Sequence, residues 1–134
     1  MWQGFLALPA TLRYDGRMQG REHPRYAAEL EAEITVDGER LPGRSKDLSR
    51  GGLSVTVAKQ VVAGSLAKLR LALVFDEETF SEWLEIEARV VWCAPVGRSG
   101  QFQLGLSYQK VTPEARKYLD LFLRHITEAE KAGV

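Results

Sequence analysis

Two short stretches hold the residue types that recognise a charged, planar ligand. "REHPR" places Arg21 and Arg25 four positions apart, and "DLSRGG" gathers Asp47, Ser49, Arg50, Gly51 and Gly52. A guanidinium offers a planar fork of donors that fits phosphate oxygens or the O6/N7 edge of guanine. Asp47 complements it by accepting from the N1–H and N2–H of guanine, Ser49 can bond a phosphate or its own turn, and Gly52 lets a ligand approach the backbone without a Cβ. Pro24 disfavours helical geometry at His23, which makes this segment an extended lead-in to the first strand. A purely structural explanation competes: the arginines pair with glutamates of a neighbouring strand, and "DLSRGG" is an Asx-type turn into "LSVTV". From average composition, both patterns in this order and before strands are roughly a one-in-a-hundred event.

Catalytic and metal chemistry find no such support. His23 and His125 are isolated, Cys93 has no CxxC partner, and HExxH, GxSxG and GxxxxGK[ST] patterns do not occur. His23 reads as a solvated loop residue, Cys93 as a small apolar filler on the strand face of Val91, and Glu85 and Glu87 as a solvated strand face. The expectation is a protein that is not an enzyme, with no metal and no cofactor.

Composition bounds the rest. The chain has 134 residues, 45% hydrophobic and 27% charged, enough for one domain with a real core. No apolar run approaches the roughly 20 residues of a spanning helix, so no membrane insertion is expected. The N-terminal "MWQGFLALPATL" lacks the basic start of a secretory signal, and Cys93 is the single cysteine. A cytoplasmic location follows as an expectation. Lys plus Arg and Asp plus Glu balance at 18 each, which argues against a surface built for long nucleic acid. Locally the balance breaks: Arg40, Arg44, Lys46 and Arg50 face only Asp47 between residues 40 and 50, and Arg13, Arg17, Arg21 and Arg25 recur every four residues.

The elements that must carry these residues are mostly strands. Apolar residues alternate at Leu30 to Val36, Leu53 to Val57, Leu69 to Phe75, Leu84 to Trp92 and Phe102 to Tyr108. "DGE" at 37–39 and "VGRSGQ" at 96–101 supply hairpin turns, whereas Pro42 and Gly43 make 39–49 a weak strand that is at an edge or bulged. Residues 76–82 read as a surface loop with a turn of helix. Thr112 before Pro113 caps a final helix whose apolar stripe runs through Ala115, Tyr118, Leu119, Phe122, Ile126 and Ala129, docked on the sheet. The expected fold is mostly β: a six-stranded antiparallel barrel or sandwich with a C-terminal helix.

Arg21 and Arg25 as RxxxR, followed by Asp47, Ser49 and Gly52 as [DN]xSxxG, resemble the PilZ domain, a bacterial receptor module for cyclic di-GMP. The resemblance covers about residues 18–126 and includes the "FQLGLSYQ" strand. It implies a six-stranded antiparallel barrel over about 26–110, a helix over about 113–131, and a division into an extension at 1–17 and a PilZ-like domain at 18–134. It further implies cyclic di-GMP as the ligand, clamped by Arg21 and Arg25 and met from the barrel by Asp47, Ser49 and Gly52. Arg17, Arg44, Arg50 and Gly51 are additional candidates. Gly20 stands where members that bind a stacked nucleotide dimer carry a further cation, which points to a single bound nucleotide or weaker affinity.

The leading expectation is a receptor that orders residues 17–25 over the barrel when ligand binds and presents a changed surface to an unknown effector protein of motility, adhesion or polysaccharide control, as a monomer or homodimer. Two alternatives stand beside it. One is an adaptor of the same fold that binds no nucleotide. The other is a small basic barrel for single-stranded RNA, which needs stacking aromatics on the surface, whereas Trp92, Phe102 and Tyr108 fall on the inferred core face.

Overall fold

The computed structural model describes residues 24–76 and 78–132, with side chains through Ala129. Strands are β1 (Tyr26–Ala27), β2 (Glu31–Val36), β3 (Glu39–Leu48), β4 (Gly52–Val57), β5 (Leu66–Leu71), β6 (Leu84–Pro95) and β7 (Phe102–Lys110), followed by helix α1 (Pro113–Ala132). Every pairing is antiparallel, in the order β3-β2-β5-β6-β7-β4, and β4 returns to β3. That last pairing closes a six-stranded barrel and removes the sheet edges. The short β1 lies along β3 beyond the end of β2.

Local sequence explains the turns. Between β2 and β3, Asp37 and Gly38 both take positive φ, 51° and 80°, the backbone of a two-residue hairpin that matches strand twist. Between β6 and β7, Gly97 and Gly100 take positive φ and the Val96 N–H donates to the Gln101 carbonyl at 2.9 Å. Alternation then fills the barrel: Ile34, Leu53, Val55, Leu69, Leu71, Ile86, Leu104 and Leu106 are all essentially without solvent contact.

Helix α1 covers one side of the barrel. The Thr112 hydroxyl accepts from the Ala115 N–H at 3.1 Å, with Pro113 as the first helical residue. Ala115, Leu119, Phe122 and Leu123 are buried, and Phe75 meets Phe122 edge-on at a centroid distance of 5.5 Å. Ala129 is exposed, so the buried stripe ends before it and includes Leu123 instead.

The strand containing Pro42, expected at an edge or bulged, is bulged: β3 pairs with β2 on one side and β4 on the other, its register with β4 shifts between Ser45 and Asp47, and Pro42 lies in the stretch before Gly43 where β4 is no longer paired. Two sequence expectations need correction. The described residues of 76–82 form no helical turn. Asp76 instead caps a tight reversal by accepting from the Glu78 and Thr79 N–H groups, while Val74 and Phe80 form a bridge. Trp92 leaves the core face because β6 bulges between Val90 and Trp92, with Val91 as the extra residue. Cys93 therefore turns inward beside Leu104, and Trp92 lies over Gly105, where a Cβ would sit 2.1 Å from the indole Nε1.

Leu119 is the fully buried point at which α1 meets the barrel. Leu119→Ala is expected to lower unfolding stability by about 2–5 kcal/mol, measured as a fall in the urea midpoint at unchanged slope.

Candidate functional site

The turn that joins β3 to β4 is held together by Ser49. Its N–H donates to the Gly52 carbonyl at 2.8 Å, and its hydroxyl accepts from the Gly51 and Gly52 N–H groups and donates back to the Gly52 carbonyl, each at 3.2 Å. Ser49 is buried, with its hydroxyl committed to the turn. Gly52 has a packing reason of its own: a Cβ there would lie 2.1 Å from the Leu106 carbonyl oxygen of β7. The Gly51 carbonyl accepts from the Tyr108 N–H at 2.9 Å, which ties the turn to β7 a second time.

Asp47 reaches the outer surface through a bulge. Ser45 pairs with Val55 and Asp47 with Ser54, so Lys46 is an extra residue on β3. Without it Asp47 would share the inward face of Leu41 and Ser45. With it, Leu48 turns inward and Asp47 outward, opposite Ala27 of β1. Two residues before Ala27, Arg25 then meets Asp47: the guanidinium Nη1 lies 2.7 Å from Oδ1, and both side chains are about a quarter to a third exposed. The two sequence motifs thus touch through one charge-assisted hydrogen bond. The same register continues across the sheet, setting Ala27, Asp47, Ser54, Gly105 and Trp92 in one outer row.

β1 holds this position through Ser45. Its buried hydroxyl accepts from the Leu30 N–H at 2.9 Å and donates to the Ala28 carbonyl at 2.5 Å, satisfying the backbone where the chain departs from β-pairing between β1 and β2.

On the helix side, Arg50 makes a two-point contact with Asp120, Nε to Oδ1 at 2.9 Å and Nη2 to Oδ2 at 3.3 Å, while Arg116 Nη1 donates to the Arg50 carbonyl at 2.8 Å. The Arg50 hydrogen bond holds the Asp120 carboxyl below its ordinary range, and Asp120 in turn raises Arg50. A cavity of about 310 Å³ opens between the turn and the start of α1, lined by Arg50, Gly51, Tyr108, Gln109, Val111 and Arg116. A second, of about 210 Å³, lies on the other flank of Arg50, against Pro24, Tyr26, Asp120 and Arg124. Burial pushes the Tyr108 phenol far above its ordinary range, and its hydroxyl has no hydrogen-bond partner among the described residues.

The structure therefore brings Arg25, Asp47, Ser49, Arg50, Gly51 and Gly52 to one end of the barrel. Arg44 is exposed further along β3, paired across the sheet with Glu31 and Thr56. Arg17, Gly20, Arg21 and His23 lie outside the described residues. Sequence reading missed Ser45, Arg116 and Asp120. Ser45 had a signal, a polar residue at an inward position two after Gly43; the helix pair had none, because nothing local says which side of α1 faces the turn. Burial pushes the Cys93 thiol up, which suits a packed filler. Among the described residues no group of three His, Cys, Asp or Glu side chains is placed to hold a metal, and no described helix is long and apolar enough to cross a membrane.

These features define a class, a closed six-stranded antiparallel barrel with a covering helix and an arginine–carboxylate clamp at one end. The sequence profile of the PilZ domain matches residues 19–125, and the chain belongs to the PilZ domain family. Among solved structures it is similar to the Bacillus subtilis inhibitor of motility MotI/DgrA, at 23% identity and a TM-score of 0.69, over 85% of this chain and 53% of that one. It is also similar to the PilZ domain of Escherichia coli YcgR with c-di-GMP, at 16% identity and a TM-score of 0.62, over 86% and 98% of the two chains. The K. pneumonia MrkH–c-di-GMP complex matches at 15% identity and a TM-score of 0.67, over 87% of this chain and 57% of MrkH. The chain thus spans about half the length of MotI/DgrA and of MrkH. Comparison with curated proteins gives no match.

Two outcomes follow. Gly52→Ala is expected to destabilise the fold by about 1–3 kcal/mol, since a backbone carbonyl must move, whereas Gly38→Ala costs only local turn strain; urea unfolding separates them. Asp120 has a folded pKa below its unfolded value, so its contribution to stability is present above the ordinary carboxylate range and is lost as pH falls through the lowered folded value. Carboxyl NMR titration is expected to show Asp120 returning upward in Arg50→Gln, and a titration unmoved by that substitution would contradict the pairing.

Proposed function

We propose that this chain is a receptor domain for cyclic di-GMP, without catalysis of its own, that acts in the cytoplasm on a partner protein. The observation that carries the reading is the 2.7 Å contact between Arg25 and Asp47, by which the second arginine of RxxxR meets the acid of [DN]xSxxG. The contact also supplies a mechanism. In the free protein the Arg25 fork and the Asp47 carboxylate satisfy each other. A guanine edge replaces both partners at once, presenting N1–H and N2–H to Asp47 and O6/N7 to a guanidinium, while the second arginine, Arg21, meets a phosphate.

In this reading Ser49 and Gly52 act by building the turn rather than by touching ligand, since the hydroxyl is committed and the Gly52 position is filled by β7. Trp92 lies on the outer row of Asp47, three strands across the sheet, and is an aromatic side chain of the kind on which a base can stack. The change passed to the partner follows from the exchange of partners at the clamp, limited in size by the ligand's preference for the bound arrangement.

Calorimetric titration with cyclic di-GMP, beside GTP and cyclic di-AMP, tests this. The wild type is expected to saturate with cyclic di-GMP alone. Arg25→Ala and Arg21→Ala should each weaken binding about 10–100-fold, the loss of one or two charged hydrogen bonds. Wild-type protein that takes up no cyclic di-GMP would sink the proposal in favour of the nucleotide-independent adaptor.

A further inference from the structure

Away from the clamp, the segment after β5 exposes Phe80 at 68%, Val74 at 50% and Trp83 at 43%. They fall within one ten-residue stretch, 74–83. Val74 and Phe80 are bridge partners, and Trp83 precedes β6, covering the Arg70 guanidinium at 5.1 Å. Leu73 and Ser81 point inward beneath them, the Leu73 N–H donating to the Ser81 hydroxyl at 3.0 Å and the Ser81 N–H to the Leu73 carbonyl at 2.8 Å. The apolar side chains thus stand on a backbone pinned to the core, and their exposure is a property of the fold.

Within the stretch that carries Phe80 and Trp83 the charges have one sign. Asp76, Glu78, Glu82 and Glu85 neighbour these side chains along the chain, all exposed, and residues 76–88 contain no Lys or Arg. Arg70, beneath Trp83, is taken up by Glu33 on β2, at 3.5 Å, and by Glu85, at 3.9 Å. Exposed aromatic and aliphatic side chains gathered on one segment are a marker of recognition surfaces. An acidic rim repels the anionic headgroups of a membrane and equally a nucleic acid backbone.

We propose that this face docks a basic, amphipathic segment of a partner protein, whose apolar side chains cover Phe80, Val74 and Trp83 while its Lys and Arg residues meet the acidic rim. The site is separate from the Arg25–Asp47 clamp and does not depend on what the clamp binds. It adjoins α1 nonetheless, because Phe75, next to Val74, packs on Phe122 and on His125.

The test uses the whole chain and a synthetic Lys/Leu amphipathic helix of about 18 residues, five turns, with a Glu/Leu helix of the same pattern as control. Binding is read by calorimetry and by indole fluorescence. The Lys/Leu peptide is expected to bind with an affinity that falls as salt rises, and the Glu/Leu peptide not to bind. Phe80→Ser should weaken binding about tenfold or more, as for an anchor residue, and Glu78→Lys/Glu82→Lys about as much through charge reversal. These side chains are exposed, so circular dichroism and melting should match the wild type. Should Phe80→Ser disturb the fold, the charge reversal alone decides.

No binding of the basic peptide, equal binding of the acidic one, or binding unchanged by either substitution overturns the proposal. So does a concentration-dependent dimer, seen by sedimentation and abolished by Phe80→Ser, which would assign the patch to a second copy of the chain. Cyclic di-GMP calorimetry on Phe80→Ser keeps the two sites apart: its outcome bears on the clamp and leaves the docking result standing.

Discussion

At Gly52 the backbone of β4 lies so close to β7 that the Leu106 carbonyl occupies the place of a side chain. Closure of the barrel, the position of the turn and the placement of the clamp depend on that approach. β4 is the strand that joins the two halves of the sheet, β3 on one side and β7 on the other. The turn before it must therefore be tight and fixed, and Ser49 fixes it by satisfying two N–H groups that would otherwise be left without partners near the protein interior. The residues of "DLSRGG" consequently divide their work. Ser49, Gly51 and Gly52 build the end of the barrel, and Asp47 and Arg50 project from it to meet, respectively, the lead-in segment and the helix.

Two irregularities decide which side chains this scaffold presents on its outer face. A regular β3 would point Asp47 inward, into a core of Leu41, Leu48 and Leu53, where a carboxylate is costly; the extra residue Lys46 reverses its direction. A regular β6 would bury Trp92; the extra Val91 brings it to the outer face over Gly105, on the same row as Asp47. Both bulges abut the strands β4 and β7 that meet at Gly52. Bulges commonly re-aim side chains beside functional surfaces, and here they set an acid and an aromatic on one outer row.

Electrostatics separate what packing joins. The chain is neutral in total, yet Arg25, Arg50 and Arg116 gather at the clamp end and residues 76–88 hold acids without Lys or Arg. Helix α1 touches both regions, Asp120 on the turn and Phe122 on Phe75. Its contact with the turn is exposed and of the kind that salt weakens, whereas its contact with the barrel is apolar and buried. The burial of Leu119 and Phe122 thus holds the helix, and the Arg50–Asp120 pair links it to the turn.

Sequence alone determined the class of fold, the hairpin turns, the capped helix and the residue types of the clamp, because alternation, glycine, proline and capping are local signals. It carried Arg25 and Asp47 as separate halves of a pattern, and it misdirected Trp92 because a bulge leaves no mark in a period-two series of Val, Val and Trp. Tertiary structure decided which face each side chain takes after a bulge, that Ser49 and Gly52 are committed to the turn, and that Arg50 answers to Asp120. Those outcomes depend on pairing register and on helix docking, contacts between segments distant in the chain, and no window of neighbouring residues encodes them.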